Sequence, residues 1–444
     1  MSMKKMLSIV LVLVLVGVLF AGCTPKEEPV TQANGNGGES EQTNTTQTET
    51  EQDTASDNEV KEITMFGFKT ASEAEVIETL IEKFNAENAD INLTYEGVAN
   101  ASGYQDVLNT RLASGQGDDL FFGNGTNILP LYEAGYVLAL NDMEVVDNYA
   151  SDISINGNVL GLPNEKSVFA MYTNQDLLEE LGLEVPKTYE EFLSVCEKVQ
   201  QAGKIPVVAG SKDGTGAALF ITAKGLYPVY KDADASTRLQ ALDKGEEKLG
   251  EVLRPGFEMV QELVDKEYID PLEALVMNAG PDSVGQFASG EVAFMLTGNW
   301  MVKAVKEAAP ELNFTLEGLP IGQEPVVLSN TGVFICVNAN SKNQEAAKRF
   351  LEFMLTTENQ NTYVQGQSAF TVLKDGTSTD IKEVAPVAQL LKEGKDAPWV
   401  NASFANYNPW ALAKEYGANV LGGATVDEAV EELDQAIEIA IELK

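Results

Sequence analysis

The sequence predicts an α/β protein that divides into two lobes, and three observations support this prediction. From Glu62 onward, short apolar runs alternate with amphipathic helical segments. Several of these helical segments begin with a hydroxyl residue followed three positions later by Glu or Gln, which is typical of a capping box. These hydroxyl residues are Thr188, Ser341, Thr357 and Thr425. The region 61–444 is also longer than a single hydrophobic core usually supports, so it is expected to form two lobes.

The first elements follow each other as strands and helices should in such a protein. Residues 63–66 predict a strand, and Ser72 opens a helix that runs to about Asn85. The next predicted elements are a strand at 91–98, a helix near 104–113 and a strand at 119–122. Much further along, the apolar run 292–296 predicts a strand that Thr-Gly-Asn ends, and Trp300 opens a helical segment.

The composition excludes several classes of function. The formal net charge is −38, which makes nucleic acid and anionic lipid poor partners. The chain contains no histidine, so His-based metal clusters and Ser-His-Asp or Cys-His nucleophiles are excluded. We expect no metal and no cofactor. Cys196 and Cys336 lie in apolar patterns and are expected in the core, and a bridge between them stays open.

The N-terminus predicts export and lipidation. A basic start with Lys4 and Lys5 precedes the apolar run 7–20, which has the length of a signal-peptide core. The segment Leu-Phe-Ala-Gly-Cys23 resembles the lipobox of bacterial lipoproteins. We therefore expect a signal peptide at 1–22, a lipid on Cys23, and a disordered polar tether at 23–60. The protein is expected on the extracytoplasmic face of the cell membrane; an ordinary cleaved signal is the alternative.

The order of motifs resembles the extracellular solute-binding proteins of bacterial ABC transporters, in the family 1 branch that captures sugars. Gly290-Glu-Val-Ala-Phe-Met-Leu-Thr-Gly-Asn-Trp300 is similar to that family's Gly-x-x-Ala-Met-x-x-x-Gly-x-Trp. Pro186-Lys-Thr-Tyr resembles its Pro-Lys-Thr-Trp helix start. Other matching segments are 108–122, 131–140, 161–165, 171–178 and 338–350.

The resemblance implies a two-lobed periplasmic-binding-protein type II fold, with a hinge and an interlobe cleft. The N-lobe is then expected at 61–164 with 333–373, and the C-lobe at 165–332 with 374–444. Chain crossings between the lobes are expected near 164–168, 329–332 and 370–373.

Ligands of open α/β sheets bind beyond the carboxyl ends of the strands, and this rule selects the candidate site. The predicted ligand-binding residues are Phe68, Lys69, Phe122, Asn124, Asn127, Glu165, Asn299, Trp300, Asn330, Trp399, Tyr407 and Trp410. The resemblance implies that Trp300 stacks on a sugar ring. Structural roles are the alternatives: Trp300 as a staple between helix and sheet, Asn127 as a helix N-cap, Glu165 as a solvated hinge charge, and the late aromatics as loop anchors.

The resemblance implies a monomeric protein without enzymatic activity that captures a carbohydrate reversibly and delivers it to a membrane permease. The expected carbohydrate is an oligosaccharide. Two alternatives stay open. The same fold could bind a polyamine, peptide or other cationic solute, or the chain could be a secreted glycoside hydrolase that uses carboxylates. Transport and sensing are not separated by the sequence.

Overall fold

A computed structural model describes residues 60–99, 101–125, 127–151, 153–399 and 403–443. The predicted signal peptide, the lipid on Cys23 and nearly all of the predicted tether lie outside these residues. Within the described ranges, no helix combines the length and apolar character that a membrane crossing needs.

The strands are β1 (Lys61–Gly67), β2 (Ile91–Gly97), β3 (Leu120–Gly123), β4 (Leu162–Pro163), β5 (Lys166–Asn174), β6 (Ile205–Val208), β7 (Val292–Gly298), β8 (Phe314–Glu317), β9 (Leu319–Pro320), β10 (Pro325–Thr331), β11 (Phe334–Val337) and β12 (Asp396–Ala397). The helices are α1 (Glu75–Glu87), α2 (Ala101–Ala113), α3 (Ile128–Glu133), α4 (Gln175–Glu180), α5 (Tyr189–Gln201), α6 (Thr215–Tyr230), α7 (Ala235–Asp243), α8 (Leu249–Asp265), α9 (Pro271–Val276), α10 (Pro281–Phe287), α11 (Val302–Ala308), α12 (Gln344–Met354), α13 (Thr357–Gly366), α14 (Ala385–Lys392), α15 (Pro409–Leu421) and α16 (Val426–Glu442). Short 3₁₀ turns lie at Ala71–Glu73, Glu144–Asn148, Asn299–Met301 and Lys382–Val384.

The first sheet has the strand order β2-β1-β3-β11-β4. Strand β1 runs parallel to β2 and β3, whereas β11 is antiparallel to β3 and β4. Strand β3 is buried along its whole length, which explains its unbroken apolar sequence. We call the part of the chain built on this sheet the first lobe.

The second sheet has the order β12-β10-β5-β7-β6, with β8 beside β5 and β9 beside β10. Its long strand β5 pairs antiparallel with both β7 and β10, and β6 runs parallel to β7. Every residue of β7 is buried, because helices cover both faces of the sheet. We call the part built on this sheet the second lobe. The mixed α/β fold with two sheets is therefore confirmed, whereas the residue boundaries assigned to the lobes stay a prediction.

Among the described strands, the chain passes from one sheet to the other three times, and two of these passages are neighbours. Asn164 and Glu165 join β4 to β5, and Gly332 and Val333 join β11 to β10. These crossings are tied to each other, because the Gly332 amide donates to the Glu165 carbonyl at 2.7 Å. Phe370 pairs with Lys166 through two backbone hydrogen bonds and adds a third segment at the same level. Three short backbone segments at the junction of the two lobes are thus held together by backbone hydrogen bonds.

Cys196 and Cys336 are buried free thiols. Burial raises the pKa of Cys196 well above its usual range. Both cysteines serve as small core residues.

Candidate ligand-binding cleft

A cavity of about 460 Å³ opens between the two lobes. It is lined by Phe68, Lys69, Glu73, Ala99, Asn124, Gly125, Glu165, Ser167, Trp300, Asn330, Thr331, Gly332, Val333, Trp399, Asn408 and Trp410. This volume lies within the range of about 300–1,000 Å³ that is usual for small-molecule sites. The lining combines aromatic rings, amides and carboxylates. It includes residues of both lobes and of the two neighbouring crossings between the sheets.

Many of the aromatic and polar side chains that line the cavity lie just after the end of a strand. Phe68 and Lys69 follow β1, Asn124 follows β3, Trp300 follows β7, and Trp399 follows β12. All of these positions lie at carboxyl ends of strands, where the loops of an open α/β sheet form ligand sites.

Trp300 owes its position to the glycine two residues before it. Strand β7 ends at Gly298, and the 3₁₀ turn Asn299–Met301 leads into α11. A Cβ atom on Gly298 would lie only 2.2–2.3 Å from three carbons of the Trp300 ring. The indole therefore lies directly against the Gly298 backbone, and only glycine leaves room for it. Its ring is partly exposed toward the cavity.

Three tryptophans converge on one buried phenylalanine. The rings of Trp300 and Trp399 stand edge-on to Phe169, with ring centroids 5.1 and 4.8 Å away, and Trp410 lies tilted at 5.5 Å. Phe169 is 7% exposed, whereas each tryptophan keeps part of its surface accessible. The chain contains three tryptophans in all, so every one of them lies at this cavity.

Asparagines hold the two later tryptophans in place. The Asn330 side-chain oxygen accepts from the Trp399 amide at 3.0 Å, which fixes the loop after β12 against β10. Asn408 is the N-cap of α15, and its side-chain oxygen accepts from the Trp410 amide at 3.0 Å. Pro409 occupies the first helical position, as is usual for helix starts. The sequence Asn-Pro-Trp thereby places Trp410 in the first turn of α15, next to the cavity.

A buried ion pair forms the floor of the cavity. Lys69 Nζ lies 3.1 Å from Glu165 Oε1, and both side chains are 3% exposed. Lys69 Nζ also donates to Gln367 Oε1, and Ser167 Oγ donates to Glu165 Oε1 at 3.0 Å. The other Glu165 oxygen, Oε2, is buried and has no hydrogen-bond partner among the described residues. An unpaired buried carboxylate oxygen is costly, and here it belongs to a residue that lines the cavity.

Glu73 adds a second carboxylate to the same cavity. Burial raises the pKa of Glu73; the charge of Lys69 lowers it, and that of Glu165 raises it again. The pKa of Glu73 is raised overall, so folding disfavours the charged form of this side chain. Within the described part of the chain, no group of three or more Cys, Asp and Glu side chains is arranged to hold a metal ion.

Two of the predicted site residues lie behind the cavity wall. Asn299 is 1% exposed: its side-chain oxygen accepts from the Val168 amide at 2.7 Å, and its Nδ2 donates to the Ser368 carbonyl at 2.9 Å. It joins β5 to the segment after α13 and has no face toward a ligand. Phe122 is 1% exposed and packs under Phe68, with ring centroids 5.5 Å apart.

Asn127 and Tyr407 are also absent from the cavity lining. The Asn127 side-chain oxygen accepts from the Asn124 amide at 2.8 Å, and its Nδ2 donates to Gln105, so it shapes the turn before α3. The Tyr407 hydroxyl donates to the Leu242 carbonyl at 2.6 Å, which anchors the loop onto α7. The Tyr407 contact corresponds to the loop-anchoring role that the sequence left open. Asn127 stands at the N-cap position of α3, but its side chain makes no capping hydrogen bond to the helix.

Several residues of this region were not among the predicted site residues, and four of them have side chains with a role described above. Ser167 and Phe169 lie on the buried strand β5, whose near-continuous apolar sequence gives no signal for a site. Asn408 carried a usable signal, because Asn-Pro before an aromatic is a helix start between two predicted site residues. Glu73 lies just beyond Phe68 and Lys69 in a 3₁₀ turn that the sequence indicated only as the start of a helix.

The fold and the cleft are those of a two-lobed binding protein, with a candidate ligand site between its lobes. The family described as bacterial extracellular solute-binding protein matches residues 79–389. The chain belongs to this family.

Curated relatives and solved structures are similar over most of the chain. The multiple sugar-binding protein of Streptococcus mutans is 21% identical, covering 78% of this chain and 84% of its own. The maltooligosaccharide ABC transporter solute-binding lipoprotein of Streptococcus pneumoniae is 24% identical, covering 69% of this chain and 71% of its own.

Solved structures are also similar to this chain. A chitin oligosaccharide binding protein superimposes with a TM-score of 0.71 at 21% identity, covering 86% of this chain and 100% of its own. The binding protein RafE in complex with raffinose gives 0.71 at 19% identity, covering 86% and 99%. These structures support the fold.

Proposed function

We propose that this protein binds a carbohydrate, and specifically an oligosaccharide, reversibly in the cleft between its lobes. The observation that carries the proposal is the convergence of all three tryptophans on one cavity that also contains amides and carboxylates. A sugar ring has an apolar C–H face and polar hydroxyls at its edges. Aromatic rings cover the C–H face, while amides and carboxylates form hydrogen bonds with the hydroxyls.

The energetics favour several aromatic contacts, which suits a chain of sugar units. Covering about 50 Å² of C–H face contributes on the order of 1 kcal/mol at ~25 cal/mol per Å². Micromolar affinity needs about −8 kcal/mol. One tryptophan is therefore insufficient, and three tryptophans with Phe68 around one cavity supply stacking surface for more than one ring.

The names of the relatives support a binding function and not a catalytic one. They are called binding proteins, and several of those names refer to sugars. We propose that the ligand leaves the cleft unchanged. The hydrolase alternative gains some support from Glu73 and Glu165, since two carboxylates at one cavity are what glycoside hydrolysis requires. Against it, Lys69 and Ser167 occupy one oxygen of Glu165.

Anchoring and delivery complete the proposal. A lipid on Cys23 would hold the monomeric protein at the extracytoplasmic face of the membrane, and the tether 23–60 would let the lobes reach an ABC permease. Two features support this: the lipobox-like sequence, and the lipoprotein name of the pneumococcal relative. Mass spectrometry of the N-terminal peptide tests it, because a diacylated Cys23 is expected and an unmodified cleaved N-terminus would contradict it.

The binding proposal is tested by calorimetric titration of the purified protein with raffinose, stachyose, maltotriose and cellotriose, beside spermidine and a short basic peptide. Micromolar or tighter binding of at least one sugar is expected. Binding of spermidine or the peptide alone would overturn the carbohydrate and support the cationic-solute alternative. Shortened sugars in the sample after long incubation would overturn simple binding and support the hydrolase.

A further inference from the structure

Two turns that face the cavity, one from each lobe, are bonded to the same short segment behind it. The turn 68–73 follows β1 and supplies three of the lining residues. The turn 299–301 follows β7 and supplies Trp300. Both turns are bonded to residues 367–368, which follow α13 and are not among the described residues that line the cavity. This segment therefore supports both walls of the cleft from behind.

The side chain of Gln367 fixes the first of these turns. Its Oε1 atom accepts from Lys69 Nζ, and its Nε2 atom donates to the Glu73 carbonyl at 2.7 Å. Because an ammonium group needs an acceptor and a carbonyl needs a donor, the amide satisfies both partners in one orientation only. Gln367 is 2% exposed, so water does not readily replace either bond. One buried side chain thus holds both ends of the turn 69–73.

The backbone of the same segment fixes the second turn. Asn299 Nδ2 donates to the Ser368 carbonyl at 2.9 Å and to the Gln367 carbonyl at 3.3 Å. Asn299 directly precedes Trp300 in the 3₁₀ turn after β7. A displacement of this segment would therefore also move the indole of Trp300.

Backbone strain is concentrated where these bonds are made. Ser368 has φ 51°, and Ala71, in the middle of the turn 69–73, has φ 49°. Both values lie in the left-handed region, which is costly for residues other than glycine and persists only where the surroundings enforce it. Two of the four non-glycine residues with positive φ in the described part of the chain therefore lie at this junction.

We propose that Gln367 is a positioning residue, which sets the separation of the turns 68–73 and 299–301 and thereby the spacing of the groups that meet the ligand from the two lobes. Gln367 does not contact the ligand and acts through the bonds described above. A binding site loses affinity when its parts are held too loosely, even where every contact residue is present. This inference rests on the proposed carbohydrate function and adds a residue on which the binding depends.

Calorimetry of matched glutamine variants tests the proposal on the intact protein, with maltotriose, cellotriose and raffinose as probes. Gln367→Met keeps the length of the side chain and removes both of its hydrogen bonds. We expect it to weaken the binding of each sugar that the wild type binds at least about tenfold, because a misplaced site residue is costly even when the substitution is remote from the ligand. Gln367→Asn keeps the amide but is too short to reach both partners, and it carries the test if Gln367→Met does not fold.

Gln360→Met is the matched control for a purely structural effect. Gln360 lies in α13, is fully buried and also makes two side-chain hydrogen bonds. Its Nε2 atom donates to the Asn164 carbonyl at 3.0 Å, and its Oε1 atom accepts from Thr371 Oγ1 at 2.9 Å. These bonds reach neither ligand-facing turn, so Gln360→Met is expected to lower stability in urea but to leave the affinity within about threefold of the wild type. Equal losses of affinity in the two methionine variants, or no loss in folded Gln367→Met, would overturn the inference.

Tryptophan fluorescence tests the same proposal without a sugar. In a Trp399→Phe/Trp410→Phe background, Trp300 is the single tryptophan of the chain. We expect Gln367→Met to shift its emission to longer wavelength and to speed its quenching by acrylamide, because the indole gains exposure to water when its turn is released. Gln360→Met should change neither, and an unchanged Trp300 signal in folded Gln367→Met would overturn the inference. If no sugar binds to the wild type, the proposed function itself fails, and the fluorescence of these variants still decides the role of Gln367.

Discussion

Lys69 and Glu165 form an ion pair across 3.1 Å at the meeting point of the two lobes, and both side chains are almost fully buried. Lys69 follows the first strand of the first lobe, whereas Glu165 lies on a crossing between the sheets. Removing two charges from water is expensive, and such a pair persists only where further hydrogen bonds support it. Gln367 and Ser167 provide that support here.

Replacing Lys69 with methionine leaves the charge of Glu165 buried and uncompensated. We expect Lys69→Met to lower the free energy of unfolding by about 3–5 kcal/mol, the usual cost of breaking a buried pair from one side. The double variant Lys69→Met/Glu165→Gln should recover a large part of this loss, because no unpaired charge is left. Urea denaturation measures both variants. A single variant within about 1 kcal/mol of the wild type would contradict this role of the pair.

Glu73 should make stability depend on pH. Its pKa is raised in the folded state, chiefly by burial, so the folded protein binds a proton more tightly than the unfolded chain does. The resulting stabilisation is fully present below the ordinary pKa of about 4.3 and is lost as the pH rises through the higher folded-state value. We therefore expect Glu73→Gln to become progressively more stable than the wild type between about pH 4 and neutral pH.

Urea titrations of both proteins across this pH range check the prediction for Glu73. Glu82→Gln, at an exposed glutamate of α1, serves as the control, since an exposed carboxylate should change stability little at any pH. A constant difference between Glu73→Gln and the wild type over the whole range would show that Glu73 does not titrate as described.

Gly298 and Trp300 should be energetically coupled. The Gly298 backbone has φ −87° and ψ 158°, which alanine adopts readily, so the cost of Gly298→Ala comes from its contact with the indole alone. We expect Gly298→Ala to destabilise the protein by about 1–3 kcal/mol, as overpacking does, and to weaken ligand binding by displacing the ring. In a Trp300→Ala background the same substitution should cost under about 1 kcal/mol. Additive costs in this double-mutant cycle would contradict the proposed contact.

The sequence predicted the members of the cleft best where a local rule applies. Phe68, Lys69, Asn124, Trp300 and Trp399 all follow carboxyl ends of strands, and the structure brings them to one cavity. Asn299 and Phe122 are close to such ends but turn into the interior. The sequence does not show which way a side chain faces at the last residues of a strand, because that depends on the packing beneath it.

Contacts between segments that lie far apart in the sequence could not be predicted from the sequence. The ionic partner of Lys69, Glu165, lies 96 positions away, and its hydrogen-bond partner Gln367 lies 298 positions away. The sequence therefore indicated Lys69 as a ligand contact and gave no sign that its charge is already paired. Asn299 illustrates the same point, since it bonds to residues far before and after it.

Helix starts were predicted well where capping is local. Capping boxes form at Thr188 and Thr425 as expected. At Thr357 the expectation was one residue late, because the side chain of Thr356 caps that helix. Ser341 does not cap α12; Asn343 takes the N-cap position, and Ser341 instead accepts from the Asn343 amide. The difference arises because adjacent hydroxyl and amide side chains compete for the same few backbone donors.

The most direct measurement of the central claim is calorimetric titration of an oligosaccharide into the wild type, Trp300→Ala and Tyr407→Phe. Tyr407→Phe is the matched control, because Tyr407 was predicted at the site from the sequence but bonds to Leu242 away from the cavity. We expect Trp300→Ala to weaken binding about tenfold or more with folding intact, since it removes a stacking face, and Tyr407→Phe to leave the affinity unchanged. Undiminished affinity in a folded Trp300→Ala variant would contradict the assignment of this cleft as the carbohydrate site.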